Sequence, residues 1–511
     1  MILVARASAL ARSCAHGPRL RMLAALASGS LLACAFAPLG WWPLAILCPA
    51  ALMGLWQGAT PRMAAKLGFW FSAGTFAAGT YWLYTSIHTF GEAPIWIAFA
   101  LMLALVAIMG AYQALLGWCV ARWLSRSGAL GTLVGMPAAW LLIEWWRGWF
   151  LTGFAWLSLG YSQTDTWLAG FAPVTGVYGV SALLLVNAGA LVTLVRGARG
   201  ARIAAALILV LPWPIGYELA GVEWTHASGH PVGVAVIQGA VPQDQKWQAD
   251  NHDTTLKLYR DLTARALGTP LIVWPESAPP DLANNLSDYL SAEFATTQAH
   301  GSALVLGVVR AEDSADGEVY FNSVLALGDK DLLWYDKSHL VPFAEFFPVP
   351  GFVRSWLRLR NLPYEDFTRG APLQPPLPAA GLKLAVTICY EDAYGSSQLP
   401  LLRQADALVN VTNDAWFGHS SARHQHFQIA RMRAIEARRF MVRAANDGIS
   451  GVIGPHGEVI ARAPEFTPYV LRASITARSG LPPYAYMGNW PVLLLALAGV
   501  VAAALRQRAK T

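Results

Sequence analysis

Three apolar runs in the second half of the chain lead to side chains that can take part in nucleophilic chemistry. Glu276 follows "LIVWP", Lys337 follows "LLWYD" and Cys389 follows "LAVTI". A thiol becomes a strong nucleophile only as a thiolate, so it needs a base to accept its proton and a cation to stabilise negative charge. Glutamate, lysine and cysteine supply these three parts, and together they predict a site for covalent catalysis.

Each of these residues alone would be weak evidence for a catalytic site. A single cysteine that ends a strand is more often a small core residue, and a glutamate or lysine at a strand end is usually solvated. Catalytic groups gather where the strands of open α/β sheets end, however, and all three residues occupy such positions. Cys389 is also the one cysteine outside the first quarter of the chain. The hypothesis therefore depends on strands that bring the three ends together.

The surrounding segment, residues 218–488, alternates between strand and helix patterns, which predicts α/β layers. We find no glycine-rich phosphate loop and no cluster of metal ligands in it, so we expect neither a cofactor nor a metal. Strands are predicted at 232–238, 270–277, 303–310, 321–328, 332–337, 382–389, 406–413, 441–448 and 450–455. Helices are predicted at 250–267, 284–299, 396–404 and 422–439.

The rest of the chain has the composition of a membrane protein. Of the 511 residues of the whole chain, 55% are hydrophobic, only 13% are charged and 22 are tryptophan. The apolar excess predicts a seven-span transmembrane domain at 22–217 and a C-terminal transmembrane helix at 489–505, because about 20 apolar residues cross a bilayer. The individual spans are predicted at 22–38, 41–58, 67–86, 93–121, 129–147, 168–195, 201–217 and 489–505.

Basic residues flank every second connection, and cytoplasmic loops carry such an excess. The tails 1–21 and 506–511 are therefore predicted to be cytoplasmic, and the α/β domain to lie on the far side, in the periplasm of a Gram-negative cell. The net charge of +6 follows from these loops. No stripe of lysine and arginine alternates with exposed aromatics, so we expect no nucleic-acid partner.

Four segments, "WPES", "YDKSHLVPFAEFFP", "ICYED" and "NVTNDAWFG", resemble those of the nitrilase or carbon–nitrogen hydrolase superfamily. Behind a multi-span membrane region, they are similar to the bacterial apolipoprotein N-acyltransferase family. The resemblance implies about eight transmembrane helices with a nitrilase-like αββα sandwich between the seventh and eighth. It also implies that Glu276 is the general base, that Lys337 stabilises the tetrahedral intermediate and that Cys389 is the nucleophile.

The same resemblance implies roles for residues around this triad. Glu345 corresponds to a second glutamate that orients Lys337 or balances its charge, and Tyr390 and Glu391 correspond to accessory residues beside the nucleophile. Trp247 and Trp416 correspond to aromatics of the substrate region, although packing is an equal alternative for Trp416. No role is assigned to the histidines at positions 419, 424 and 426.

The activity implied is transfer of a fatty acyl chain from a membrane glycerophospholipid to the α-amino group of diacylglyceryl-cysteine in an apolipoprotein. It would proceed through a thioester on the enzyme, without a cofactor, in a monomer of the inner membrane. Both substrates are anchored in the bilayer, so the site needs a slot that opens toward lipid. The aromatic-rich loops 85–95, 148–167 and 343–364 are candidates for that slot and its lid.

Two other classes of protein remain as alternatives. A membrane-tethered amidase could use the same Glu-Lys-Cys set on a soluble amide, but one span would suffice as its anchor. A transporter or receptor with a periplasmic binding domain could use Glu144 and Arg147 as part of a polar path. Their i, i+3 spacing near the end of the fifth span instead favours a pair close to the membrane interface.

Overall fold

The computed structural model of the chain describes residues 17–315, 317–327, 332–346 and 366–509. Of the loop 343–364, therefore, only the first four positions lie within the described residues. The chain divides into two compact units. One contains the residues up to Val222 and those from Met487 onward, and the other is Glu223–Tyr486.

The first unit consists of helices, and at least one helix overlaps each of the eight predicted spans. Its main helices are Pro18–Leu32, Leu44–Trp56, Pro61–Gly79, Ile95–Trp123, Met136–Arg147, Ala172–Arg196, Arg199–Val210, Pro212–Ala220 and Trp490–Arg508. Within the described residues, four helical stretches are long and apolar enough to cross a membrane: Ile95–Trp123, Trp167–Arg196, Arg199–Ala220 and Trp490–Arg508.

The other predicted spans coincide with helices that are shorter or more polar. Pro18–Leu32 has 15 residues, which at 1.5 Å per residue gives about 22 Å, less than the roughly 30 Å of a hydrocarbon core. Leu44–Trp56 has 13 residues, and Pro61–Gly79 carries Arg62 and Lys66 near its start. The eight-span arrangement therefore stays a prediction.

Glycines let the helix Pro61–Gly79 approach its neighbours closely. A β-carbon at Gly74 would lie 2.3 Å from the carbonyl oxygen of Leu26, and one at Gly68 would lie 2.2 Å from that of Gln113. Both separations are too short for any side chain. Small residues at such crossings are typical of helix packing in membranes, where van der Waals contact replaces the hydrophobic effect.

The second unit contains two six-stranded sheets. In the described residues its strands are β1 His226–Gln238, β2 Leu271–Val273, β3 Ala303–Ser314, β4 Gly317–Leu327, β5 Leu332–Asp336, β6 Leu377–Ala379, β7 Leu382–Ile388, β8 Ala407–Thr412, β9 Met441–Ala445, β10 Gly451–Ile453, β11 Val459–Arg462 and β12 Tyr469–Ser479. The first sheet has the order β12-β1-β2-β3-β4-β5, and the second has the order β11-β10-β9-β8-β7-β6.

The sheets pack face to face, with helices on both outer sides. Val236 and Val324 of the first sheet share one buried cluster with Val386 and Val409 of the second. His252–Ala266 and Ser287–Ala299 cover the outer face of the first sheet. Gly395–Leu402 and Ala422–Ala437 cover that of the second. The prediction of an αββα sandwich is confirmed.

Strand direction brings the predicted reactive residues to common edges. β1, β2 and β3 are parallel, while β4 is antiparallel to both β3 and β5. β5 therefore runs in the same direction as β2, and both end at one edge of the first sheet. In the second sheet β7 and β8 are parallel, so they too end at a common edge.

The sequence prediction of the strands was incomplete. It missed β6, β11 and β12, and it extended β2 through residue 277, whereas β2 ends at Val273. β6 and β11 have three and four residues, too few to show an alternating pattern. β12 carries Arg472 and Arg478 within its alternation, and its antiparallel pairing with β1 stabilises it as a strand.

Candidate active site

Glu276 lies in the loop that follows β2, and it is buried. Its Oε1 accepts a hydrogen bond from Asn322 Nδ2 (2.7 Å) and lies 3.4 Å from Lys337 Nζ. Its Oε2 accepts from the backbone N–H of Asn413 (2.8 Å), which directly follows β8 of the second sheet. The carboxylate thus joins the two sheets at their shared edge.

Lys337 follows β5 and is only 1% exposed. Its Nζ donates to Glu345 Oε1 at 2.8 Å. Asn322 Nδ2 donates to the same oxygen of Glu345 at 3.0 Å and so lies between the two glutamates. Glu345 Oε2 in turn accepts from the backbone of Val341 (2.8 Å). One ammonium group is therefore held between two carboxylates whose orientations are fixed by other donors.

The charge state of Lys337 follows from these neighbours. Burial acts to lower its pKa, but the carboxylates of Glu345 and Glu276 outweigh burial and raise the pKa above its ordinary value. Lys337 is therefore a cation at neutral pH. A buried cation with fixed partners can stabilise negative charge without reorganisation of solvent.

Cys389 begins the 3-10 turn Cys389–Ala393 at the end of β7, with φ of 51°. This left-handed conformation is unfavourable for a residue with a β-carbon, so surrounding contacts must maintain it. The backbone N–H of Ile388 donates to Glu391 Oε2 (2.8 Å). The carbonyl of Cys389 accepts from Asn410 Nδ2 (3.4 Å) and lies 3.2 Å from His426 Nε2. The turn is thus held on both sides.

The thiol of Cys389 interacts electrostatically with both Glu276 and Lys337. Burial of the thiol and the negative charge of Glu276 raise the pKa of Cys389 well above its ordinary value, while Lys337 and a hydrogen bond with Thr412 oppose this. The residue is half-buried. Cys389 is therefore a neutral thiol at rest, and a nucleophilic attack requires that its proton leave during the step.

Glu391 lies within the Cys389–Ala393 turn. Its Oε1 accepts from the backbone N–H groups of Ser338 (2.7 Å) and His339 (3.0 Å), which follow Lys337 in the chain. Its Oε2 accepts from Tyr335 Oη (2.9 Å). Because the same oxygen accepts from Ile388, Glu391 connects the segment that carries Lys337 to the turn that carries Cys389.

The predicted aromatic residues occupy different environments. Tyr390 is buried and packs edge to face against Tyr394, with ring centroids 5.2 Å apart. Trp247 and Trp416 are 52% and 38% exposed. The two tryptophans thus lie at the surface of the domain, whereas Tyr390 packs in its interior.

Lys246 contacts this region and was not singled out from the sequence. Its side chain is completely buried, and Nζ donates to the backbone carbonyl of Glu276 (3.2 Å). Burial lowers the pKa of Lys246 to about 8, against the attraction of Glu276. In the sequence "QDQKW" this lysine has only polar neighbours before it, a pattern typical of a solvated loop.

A buried charge cluster next to the Cys389–Ala393 turn was also missed. His426 Nδ1 lies 2.8 Å from Asp414 Oδ1, and His426 Nε2 lies 3.1 Å from Asp392 Oδ1. Arg443 donates to Asp392 Oδ2 (3.2 Å) and Asp414 Oδ2 (2.9 Å). An imidazole flanked by two carboxylates donates from both nitrogens only when it is protonated. The cluster therefore contains two cations and two anions.

The pKa values of His426 and Asp414 agree with this assignment of charges. Burial and Arg443 act to lower the pKa of His426, but the carboxylates of Asp392 and Asp414 outweigh them and raise it to about 9. Burial opposes ionisation of Asp414, yet His426 and Arg443 lower its pKa to about 2.

Because the His426 pKa is raised on folding, protonation stabilises the fold fully below the unfolded pKa of about 6.5. That contribution is lost as pH rises through about 9.

We therefore expect His426→Gln to flatten the pH dependence of stability. Wild-type protein in detergent should lose on the order of 3 kcal/mol of unfolding free energy from this group between pH 6 and 9. The variant should unfold at a lower temperature at pH 6 and lose less stability toward pH 9. Thermal unfolding across this range measures both effects. His419→Gln, at an exposed histidine of the same region, is the control, and an unchanged slope in His426→Gln would contradict the charge assignment.

The described residues contain no group of three or more histidine, cysteine, aspartate or glutamate side chains arranged to hold a metal ion. His424 and His426, the two closest histidines in the sequence, have different surroundings. His426 contacts two aspartates, while burial lowers the pKa of His424. The candidate site residues remain a glutamate, a lysine and a thiol, with a second glutamate bonded to the lysine.

The αββα fold, with Glu276, Lys337 and Cys389 at one edge of its sheets, is that of a nitrilase-type domain. The sequence model of the family described as "Carbon-nitrogen hydrolase" matches residues 233–480. The model described as "Apolipoprotein N-acyltransferase N-terminal domain" matches residues 28–190. The apolipoprotein N-acyltransferase of Pseudomonas aeruginosa is 41% identical over 94% of this chain and 94% of its own length. That of Methylococcus capsulatus is 42% identical over 79% of each chain. The chain belongs to the apolipoprotein N-acyltransferase family.

Proposed function

We propose that the protein transfers a fatty acyl chain from a membrane glycerophospholipid to the N-terminal amino group of diacylglyceryl-cysteine in apolipoproteins. The acyl group would pass through a thioester on Cys389. The observation that carries this proposal is the convergence of Glu276, Lys337 and Cys389 at one edge of the sandwich in a chain of this family. A neutral thiol next to a carboxylate and a buried ammonium is suited to attack on an ester carbonyl.

In the first half-reaction, Glu276 accepts the thiol proton as sulfur bonds to the ester carbon of the phospholipid. The tetrahedral oxyanion is stabilised by the ammonium of Lys337. Collapse of this intermediate breaks the ester C–O bond, and the proton on Glu276 passes to the departing glycerol oxygen. The products are a thioester on Cys389 and a lysophospholipid.

In the second half-reaction, the amino group of the apolipoprotein attacks the thioester. Glu276 accepts a proton from the attacking nitrogen, and Lys337 again stabilises the oxyanion. The C–S bond then breaks, and the sulfur regains a proton from Glu276. This forms an amide and restores the neutral thiol, so that no external acid, base or oxidant is consumed.

The supporting residues divide by what they contact. Glu345 balances the charge of Lys337 and fixes its position through a 2.8 Å hydrogen bond. Glu391 and Tyr390 would position the turn Cys389–Ala393 without contacting the substrate. Trp247 and Trp416 are exposed, so we propose that they contact the acyl chain or the lipoprotein.

The membrane region fits this function better than it fits an anchor or a transport path. Glu144 Oε1 accepts from Ser181 Oγ (2.6 Å) and from the backbone of Leu159 (3.3 Å). Arg147 donates to the carbonyls of Phe154 (2.6 Å) and Trp156 (2.8 Å). These bonds fix an aromatic loop of the helical unit. Such a loop is suited to the bilayer interface, where a lipid substrate must be recognised.

We further propose eight spans with both termini in the cytoplasm and Glu223–Tyr486 in the periplasm. Alkaline phosphatase, which is active only outside the cytoplasm, should be active when fused after Ala220 and inactive when fused after Thr511. A fusion after Arg126 should behave like the one after Thr511, since both follow basic segments. Activity after Thr511, or inactivity after Ala220, would contradict this orientation and remove access to periplasmic lipoproteins.

A further inference from the structure

A groove of about 900 Å³ lies within the helical unit. Apolar side chains of three helices form its walls, including Leu115, Leu142 and Val500. Arg122, Arg126 and Arg508 line it as well, near the carboxyl ends of Ile95–Trp123 and Trp490–Arg508. The groove thus combines an apolar surface with a cluster of guanidinium groups.

The groove lacks negative charge of its own. The acidic residues in the described part of the helical unit are Glu92, Glu144, Asp165 and Glu218, and none of them lines the groove. Arg122 and Arg126 are exposed. Guanidinium groups bind phosphate oxygens through paired hydrogen bonds, so their charge complements an anionic phosphate.

The turn that carries these arginines is fixed rather than loosely attached. Gln507 Nε2 donates to the carbonyl of Arg122 (2.8 Å), and its Oε1 accepts from the backbone N–H of Arg126 (2.9 Å). Ser127 Oγ donates to the carbonyl of Ala503. Gln507 is itself buried. The backbone positions of both arginines are therefore set by the terminal helix, which reduces the ordering that a ligand would have to impose.

We propose that this groove binds an anionic glycerophospholipid, with its phosphate at Arg122 and Arg126 and an acyl chain along the apolar wall. A free phosphate would leave the wall uncovered, and a lipid without net charge would leave the arginines without a counter-charge. The arginines lie where the proposed orientation places the cytoplasmic leaflet, which is rich in anionic lipid. This lipid is a bound ligand of the membrane unit, distinct from the acyl donor that reaches Cys389.

Titration with fluorescent lipid tests the proposal. All proteins carry Cys389→Ala, so that no acyl transfer consumes the lipid, and any binding near the catalytic residues is common to all samples. Arg122→Ala combined with Arg126→Ala should weaken binding of phosphatidylglycerol about 25-fold, from two contributions of about fivefold each. Binding of phosphatidylcholine should change less than twofold. Ala504→Trp, which fills the apolar part, should weaken binding of both lipids.

Arg199→Ala combined with Arg202→Ala is the matched control, because it removes the same charge from another basic segment outside the groove. An equal loss of phosphatidylglycerol binding in this control would overturn the proposal in favour of general surface attraction. Unchanged binding in Ala504→Trp would overturn it too, as would complete displacement of the lipid by millimolar inorganic phosphate. None of these outcomes bears on acyl transfer, which is assayed separately with Cys389 present.

Discussion

Cys389→Ala is expected to reduce N-acylation of a diacylglyceryl lipopeptide by on the order of 10⁴-fold or more, because the variant has no atom that can hold the acyl group. Cys389→Ser should be nearly as inactive. Glu276 can accept a proton from a thiol during attack, but a carboxylate is far too weak a base to ionise a hydroxyl. The measurement is lipopeptide acylation in detergent with phospholipid as donor.

The control for this prediction is Cys34→Ser, at a cysteine of the helical unit, which should retain activity. Both Cys389 variants should unfold at temperatures close to that of the wild type, since the residue is only half-buried and the change in size is small. Activity of Cys389→Ser within tenfold of the wild type would mean that the nucleophile is activated by a stronger base than Glu276.

Lys337→Met is expected to lower acyl transfer by about 10²- to 10³-fold, or roughly 2.7 to 4 kcal/mol of transition-state stabilisation, as for loss of an oxyanion-hole donor. Lys337→Arg should restore little of this activity. Lys337 is 1% exposed and contacts both Glu276 and Glu345, so a planar guanidinium cannot occupy the volume of a compact ammonium.

Lys337→Met should also destabilise the fold, because it leaves the buried carboxylates of Glu276 and Glu345 without a cation. The expected cost is about 3 to 5 kcal/mol of unfolding free energy. A double variant separates this effect from catalysis. Lys337→Met combined with Glu345→Gln removes one charge of each sign, and it should recover much of the unfolding temperature but none of the activity. Recovery of activity in the double variant would show that Lys337 acts only through stability.

The sequence allowed the reactive residues to be chosen because their positions follow from strand ends alone. Glu276, Lys337 and Cys389 each follow an apolar run, and the parallel direction of β2 with β5 and of β7 with β8 brings those ends together. The roles of the three residues stay a proposal. Glu345 lies eight residues beyond Lys337 in an irregular segment, so only family resemblance pointed to it.

Other parts of the site depend on contacts that a sequence does not display. His426 was assigned no role from the sequence, and its i, i+2 spacing with His424 on a helix places the two histidines on different faces. Its partners, Asp392 and Asp414, come from two other strand ends, and only tertiary structure brings them within 3.1 and 2.8 Å. Lys246 is comparable, since its burial and its hydrogen bond to the carbonyl of Glu276 arise only in the tertiary structure.

The ends of the helices in the helical unit could not be predicted accurately, for a different physical reason. Hydropathy reports how apolar a segment is, but it does not report where a helix ends. The first predicted span reached residue 38, yet its helix ends at Leu32 and a short 3-10 turn, Ala33–Ala35, follows. Proline and glycine in "APLGWWP" then prevent a regular helix before Leu44.

The most direct test of the proposed mechanism is mass spectrometry of wild-type protein incubated with phospholipid in the absence of lipoprotein. The peptide that contains "TICYED" should gain the mass of one acyl group, and hydroxylamine, which cleaves thioesters, should remove it. Adding lipopeptide should discharge this species into N-acylated product, as a two-step covalent mechanism requires. If the peptide stays unmodified while Cys389→Ala still acylates lipopeptide at the wild-type rate, the amine attacks the phospholipid directly and the proposed mechanism is wrong.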